Sequence, residues 1–336
     1  MISPNHTSPV LFFIDDLRNK WIDLNSDGII QTEEDHGHAG LSAQSSFSFL
    51  KNRILVHNPN IRVTFFVPVS AVPPIITDSP IKSHSYPINH DERSIQFFRT
   101  IGKDPRYEFA YHGTTHGSPG KTTHEFVHEW LTYNNIDEAN KRIAFGKKIF
   151  DEAFGFLPTG GKYCGYRSND ISDQSIDESG FVWWCRYDNR TAVKGHADPY
   201  YSGADDNPLT AYNLKFFGKK CVVDIPTTVY SNLLNPLFKT PPGIKGWIKR
   251  ILRQFLIKRM LEREIGFLIK KKLIVSIQTH MSPSREDGKR QSLNIIDDAE
   301  SLKAIFKYLK RRQVWYCTGR ELAEWARSHR NAYPDH

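Results

Sequence analysis

Short apolar runs rich in β-branched and aromatic residues recur along the chain at Val10–Ile14, Ile61–Val69, Tyr107–Tyr111, Phe181–Cys185, Lys220–Ile225, Leu273–Ile277 and Gln313–Cys317. A run that is apolar at successive positions, without alternation, predicts a strand covered on both faces. Helical periodicity fills the stretches between them, at Leu41–Leu55, Asp137–Phe154 and Ile295–Arg311, the last opening on Asp-Asp-Ala-Glu. Strands alternating with helices predict a parallel sheet or barrel. The expectation is an α/β fold: a distorted parallel (β/α) barrel of about seven strands, one domain spanning residues 1–336. Loop and helical insertions fall at roughly 20–40, 70–95 and 230–270.

Composition adds little until charge is placed. The 336 residues include 21 Phe, 14 Tyr and 7 Trp, so a core can form without covalent staples. Cys164, Cys185, Cys221 and Cys317 show no Cys-x-x-Cys spacing and read as reduced, mostly buried thiols. The N-terminus lacks a basic start and a small-residue cleavage site, and no apolar stretch approaches the ~20 residues a bilayer span needs. These features predict a cytoplasmic protein in which the sequons at Asn5 and Asn189 have no role.

Net charge is +8, and much of it gathers in residues 244–272. There Trp247, Ile248, Ile251, Leu252, Phe255 and Leu256 recur at helical spacing, with Lys249, Arg250, Arg253, Lys258 and Arg259 mostly on the other side. A basic amphipathic helix of this kind suits peripheral contact with an anionic membrane at its inner face; it also suits a helix packed on the barrel with a solvated basic face. No nucleic-acid partner is expected.

The chemistry sits at strand ends. His112-Gly-Thr-Thr-His116 follows the Tyr107–Tyr111 run, and Asp15-Asp16 follows the first. Two imidazoles and one carboxylate can hold a catalytic divalent metal and leave positions open for water; a second carboxylate can act as base. Asp188, Asp224 and His280 also close apolar runs, the edge where parallel α/β barrels build their sites.

The ordered motifs resemble those of the polysaccharide deacetylases of the NodB-homology group, also called carbohydrate esterase family four. Phe13-Ile-Asp15-Asp16-Leu17 is similar to the family's Thr-Phe-Asp-Asp-Gly-like opening, and His112-Gly-Thr-Thr-His116 to its His-Ser/Thr-x-x-His motif. Gly165-Tyr-Arg167-Ser-Asn169 stands for the arginine motif, Gly180–Asp188 for the Gly-aromatic strand ending in Asp, and Ile277-Gln-Thr-His280 for the closing strand. Leu17 replaces a glycine, and the Arg167 motif lacks its proline and aromatic. The resemblance implies Asp16, His112 and His116 as metal ligands, with Zn as the default metal. It also implies Asp15 as general base, Arg167 as its charge partner, and His280 as general acid oriented by Asp188. The implied reaction is hydrolysis of an acetyl or formyl group from the nitrogen of an amino sugar, during assembly of a cell-surface glycan, with an amino-sugar or lipid-linked glycan as substrate.

Two motifs compete. His124-Glu125-Phe-Val-His128 spells a zinc-peptidase signature, with Glu152 downstream as third ligand, if the segment is helical. A non-catalytic glycan-binding barrel is the other alternative. Separately, residues 23–34 fit the twelve-residue calcium loop, with Asp23, Asn25, Asp27, Ile29 and Glu34 as ligands and Gly28 at the turn, and predict a structural Ca²⁺.

Overall fold

A computed structural model describes residues 7–188, 212–239 and 243–330, and of residues 244–250 only the backbone. Asn5 and the whole 189–191 sequon therefore lie outside the described residues, as do the side chains of Trp247, Ile248, Lys249 and Arg250. The strands in chain order are β1 (Ser8–Asp15), β2 (Lys20–Asp23), β3 (Val63–Val67), β4 (Lys82–Ser85), β5 (Tyr107–Tyr111), β6 (Gly117–Ser118) and β7 (Val127–His128). They continue as β8 (Gly160–Lys162), β9 (Trp183–Cys185), β10 (Lys215–Phe217), β11 (Val222–Asp224), β12 (Val229–Tyr230), β13 (Val275–His280) and β14 (Val314–Tyr316). The longer helices are α1 (Glu92–Ile101), α2 (Ile136–Phe154), α3 (Asp170–Glu178), α4 (Ile244–Leu261), α5 (Ala299–Leu309) and α6 (Gly319–Ser328).

The main sheet runs β10-β11-β9-β8-β5-β3-β1-β13-β12, with β14 pairing the start of β1. Every pairing in it is parallel except β10 with β11. This curled sheet is the distorted barrel that the alternating pattern predicts, and each of the seven apolar runs supplies one of its strands. Every residue of β1 is buried, so its uninterrupted apolar sequence matches a strand covered on both faces.

One strand carries no apolar signal at all. β8 is Gly-Gly-Lys, because its neighbours leave no room for side chains. A Cβ on Gly160 would lie 2.1 Å from the Trp183 indole, and one on Gly161 would lie 2.3 Å from that of Trp184. Both indoles are fully buried.

Capping fixes the helices on either side. The Asn135 side chain accepts from the Glu138 N–H at the start of α2, and Gly155, at φ +81°, ends it. Thr318 and Glu321 form a capping box at α6. The first expected helix begins at Ser46 and not at Leu41, because Ser45 caps it through the Phe47 and Ser48 N–H groups. The insertions hold a β2–β4 ribbon and helix α4. All four cysteines are free, and three are buried.

Candidate metal centre and catalytic pocket

Parallel register assembles the site. Asp15 at the end of β1 lies beside His280 at the end of β13, and Phe66 of β3 flanks it on the other side. Tyr111 pairs with Gly161, which puts His112 next to Lys162 across β5 and β8. Residues far apart in sequence thus meet around one cavity of about 410 Å³, lined among others by Asp15, Asp16, His112, His116, His128 and His280.

Asp16 and His116 stand on kinked backbone, with φ of +67° and +69°. Asp16 Oδ1 lies 3.4 Å from His116 Nε2. Two ligand atoms each ~2.1 Å from one tetrahedral ion are separated by about that distance. The same oxygen is buried and has no hydrogen-bond partner. Burial alone would raise the Asp16 carboxyl, but the neighbouring positive charge, Arg18 foremost, outweighs it and holds it well below the usual carboxylate range. Burial pushes the His112 and His116 imidazoles down, so both are neutral and ready to donate a lone pair. His112 Nδ1 donates to the Lys162 carbonyl at 2.9 Å, which turns Nε2 toward the cavity.

His112, His116 and Cys164 offer ligand atoms within 4.8 Å of one another. Cys164, however, donates its thiol to the His112 carbonyl at 3.1 Å, and burial pushes that thiol well above its ordinary range. Asp16 Oδ1, without a hydrogen-bond partner and 3.4 Å from His116 Nε2, is the other donor atom beside these imidazoles.

The loop carrying His116 is held by Glu129, a residue without a sequence signal of its own. Its carboxylate is buried and accepts the N–H groups of Thr114, Thr115 and His116 at 2.9, 2.8 and 2.8 Å, and the Tyr133 hydroxyl at 2.7 Å. A Cβ on Gly113 would meet that carboxylate at 2.4 Å, so the glycine is required there.

Asp15 has different partners from those expected. The cation against it is Lys162, buried and 2.5 Å from Oδ2. Arg167 sits half-buried beyond the 164–166 turn, where its charge bears on His128. Gln278 donates to the same Asp15 oxygen at 2.8 Å and itself accepts from Tyr166 at 2.5 Å. Asp15 Oδ1 is left without a partner. His280 is oriented by the Leu293 carbonyl, to which Nδ1 donates at 2.8 Å, and not by Asp188. Asp188 is buried at a backbone bridge to Thr227, and its charge bears on Tyr166. His280 Nε2 points to the site, 3.7 Å from Asp15 Oδ2.

The peptidase alternative fails on local structure. A zinc signature needs both imidazoles on one helical face, but His124 lies in a turn and His128 in the extended β7. The Glu125 carboxylate accepts from Lys121 and Thr122 N–H groups, and Glu152 binds Asn89 and Lys148. His128 instead joins the pocket, its ring 6.3 Å from that of His116.

In the 23–34 loop, Asp23 accepts from the Asp27 and Gly28 N–H groups, Asn25 from Asp27, and Asp27 from Ile29. Glu34 closes the loop on the Leu24 and Gln31 N–H groups. Burial, then Asp23 and Asp27, raise the Glu34 carboxyl against those bonds. The loop abuts the pocket wall, since Ser282 and Ser284 both donate to the Glu33 carbonyl.

No family model and no curated protein matches the sequence. Solved structures do match over nearly the whole length. A putative polysaccharide deacetylase from Mycobacterium smegmatis aligns at a TM-score of 0.53 and 14% identity, over 98% of this chain and 94% of that one. A probable polysaccharide deacetylase from Pseudomonas aeruginosa PAO1 gives 0.53 and 15%, over 97% and 94%. This chain has the polysaccharide-deacetylase fold. The same fold is shared with PuuE allantoinase, at a TM-score of 0.52 and 15% identity, over 97% and 93%. Within this fold, Asp16 follows the end of β1, and His112 and His116 follow the end of β5, at the C-terminal edge where parallel barrels place their chemistry.

Proposed function

We infer that this protein is a metal-dependent hydrolase that removes an acetyl or formyl group from the nitrogen of an amino sugar. The observation that carries the reading is the 3.4 Å approach of Asp16 Oδ1, which has no hydrogen-bond partner, to His116 Nε2, in a pocket that also holds Asp15, His112 and His280. Asp16, His112 and His116 would hold the cation, and two imidazoles with one carboxylate suit Zn²⁺ as well as Fe, Co, Ni or Mn. A divalent ion bound there acidifies a water and polarises the acyl carbonyl.

The chain's own residues supply the proton traffic. Asp15 accepts a proton at Oδ1 while Lys162 and Gln278 fix Oδ2. His280, its Nδ1 committed to the Leu293 carbonyl, delivers a proton from Nε2 to the departing amine, which is a poor leaving group without it. Tyr166 and Tyr230 line the same cavity and offer faces for a sugar ring. A Ca²⁺ in the 23–34 loop would brace the wall carrying Ser282 and Ser284.

A cell-surface glycan precursor on a lipid carrier suits the remaining surface. Ile251, Leu252 and Phe255 of α4 are exposed, at 59%, 45% and 62%, on a helix that also carries Arg253, Lys258 and Arg259. No described helix is long and apolar enough to cross a membrane, so contact would be peripheral.

The test is metal content by mass spectrometry, with amine release from N-acetyl and N-formyl amino sugars. Asp16→Ala, His112→Ala and His116→Ala should each lose the bound metal, and turnover should fall by at least about a thousandfold. Cys164→Ser should keep both. Loss of metal in Cys164→Ser with retention in Asp16→Ala overturns the ligand assignment. Sugar binding by metal-loaded protein without amine release points instead to a glycan-binding barrel.

A further inference from the structure

The pocket holds more unpartnered cationic and donor groups than the hydrolysis uses. Arg18 is 7% exposed, and its Nε and Nη1 are buried with no hydrogen-bond partner among the described residues. Its closest carboxylate is Asp16, at 3.8 Å, which is too long for a hydrogen bond; Glu286 also feels its charge but is paired with Lys20. Arg285 has one guanidinium nitrogen on Asp287 at 2.8 Å, but its Nε is buried and unpartnered. His36 is 3% exposed and neither ring nitrogen has a partner. Burial, Arg18 and Lys20 hold that imidazole well below its usual range, so it is neutral, with one N–H to give. All three side chains line the cavity that contains Asp15 and Asp16.

Other charges nearby are already satisfied, which makes these three stand out. Lys20 is buried against Glu286 in a direct ion pair, and Glu286 also accepts from Ser83 at 3.3 Å. Lys162 is spent on Asp15. The Arg18 and His36 segments are tied together, since the Arg18 N–H donates to the His36 carbonyl at 2.8 Å. Asp35 anchors that turn by accepting from the Gly37, Ala39 and Ser46 N–H groups. The donors are therefore held in place before any ligand arrives. A buried guanidinium without an acceptor is costly, and its fork matches the oxygens of a carboxylate or phosphate.

We propose that the substrate is an anionic amino sugar whose carboxylate or phosphate is bound by Arg18, Arg285 and His36. Because Arg18 stands next to Asp16, the anion belongs to the same sugar as the N-acyl group or to the linkage leaving that sugar. This rests on the hydrolase reading above, and the experiment separates the two.

The metal-loaded, full-length protein is assayed for amine release from N-acetylglucosamine, its 1-phosphate and its uronic acid. One or both anionic substrates should show at least about a tenfold higher kcat/KM than the neutral sugar, and the two anionic arms tell phosphate from carboxylate. In Arg18→Gln and in Arg285→Gln that ratio should fall toward one, while Arg18→Lys should restore part of it. Arg285→Gln does not touch Asp16, so a fall in both variants cannot come from damage to the metal site. Equal kcat/KM for neutral and anionic sugars in the wild type, or a ratio unchanged in both glutamine variants, overturns the proposal.

Thermal protection by glucuronate and by inorganic phosphate is measured in parallel. Protection of wild type that is lost in both glutamine variants, without amine release from any sugar, sinks the hydrolase reading and keeps the anion site. Equal protection of all three proteins sinks the anion site.

Discussion

Lys162→Met probes the buried ion pair that holds Asp15 at the edge of the pocket. The Lys162 and Asp15 side chains are 1% and 4% exposed, and their charged atoms are 2.5 Å apart. Unit charges at such a separation attract by roughly 6–7 kcal/mol at an effective dielectric near 20, against a desolvation cost of several kcal/mol per ion. The net value of the pair is therefore small, but removing one member strands the other, which costs about 3–5 kcal/mol. Only Gln278 and the more distant His280 would then remain against the Asp15 carboxylate. Urea unfolding of metal-free protein, followed by circular dichroism, should show Lys162→Met losing about 3–5 kcal/mol. Adding Asp15→Asn should return at least about 2 kcal/mol, because the stranded charge is gone and the new amide oxygen can still accept from Gln278. A double variant as unstable as the sum of the two singles would refute the coupling between the two side chains.

Glu129→Gln should weaken zinc binding about 10- to 100-fold in a chelator competition, because an amide cannot accept all three N–H groups of the His116 loop; unchanged affinity would mean the loop holds itself. Glu108, between Thr64, Trp183 and the Arg320 N–H, has its carboxyl raised by burial to about 7. A raised acid stabilises the fold below its unfolded value and loses that contribution as pH rises through the folded one. Stability should therefore fall by on the order of 2–3 kcal/mol between about pH 4.5 and 7, and Glu108→Gln should flatten that slope in denaturant melts; an unaltered slope would sink the assignment. Calcium near 1 mM should raise the melting temperature of wild type and not of Glu34→Gln, and no shift in wild type would remove calcium from the 23–34 loop.

Much of the fold is legible because parallel strands buried on both faces announce themselves as unbroken apolar runs. The residues at their ends, Asp15, Asp16, His112 and His280, could be found the same way. What escaped detection follows different physics. Lys162 ends a strand made of two glycines, where tight packing against Trp183 and Trp184 erased the hydrophobic signal. The resemblance implies Arg167 in that role, and no apolar run marks the strand that carries Lys162. Glu129 directly follows the His124–His128 signature without belonging to it, and its task of holding backbone N–H groups leaves no spacing to read. The carbonyl that orients His280 belongs to Leu293, and a backbone acceptor has no residue type to search for. The zinc signature itself misleads because a pattern of letters does not say whether the segment winds or extends.

The bare strand at Gly160 and Gly161 has a consequence for how this protein tolerates change. The ammonium beside Asp15 is delivered by a strand that hydrogen-bonds to β5 and β9 but has no apolar side chain of its own to pack, so its seat depends on two indoles of the adjoining strand. Damage to Trp183 or Trp184 should thus read out as a lesion of the pocket around Asp15, although neither ring lines it. In a mutational scan, the two tryptophans, the two glycines and the lysine should behave as one heritable block, accepting substitutions together or not at all.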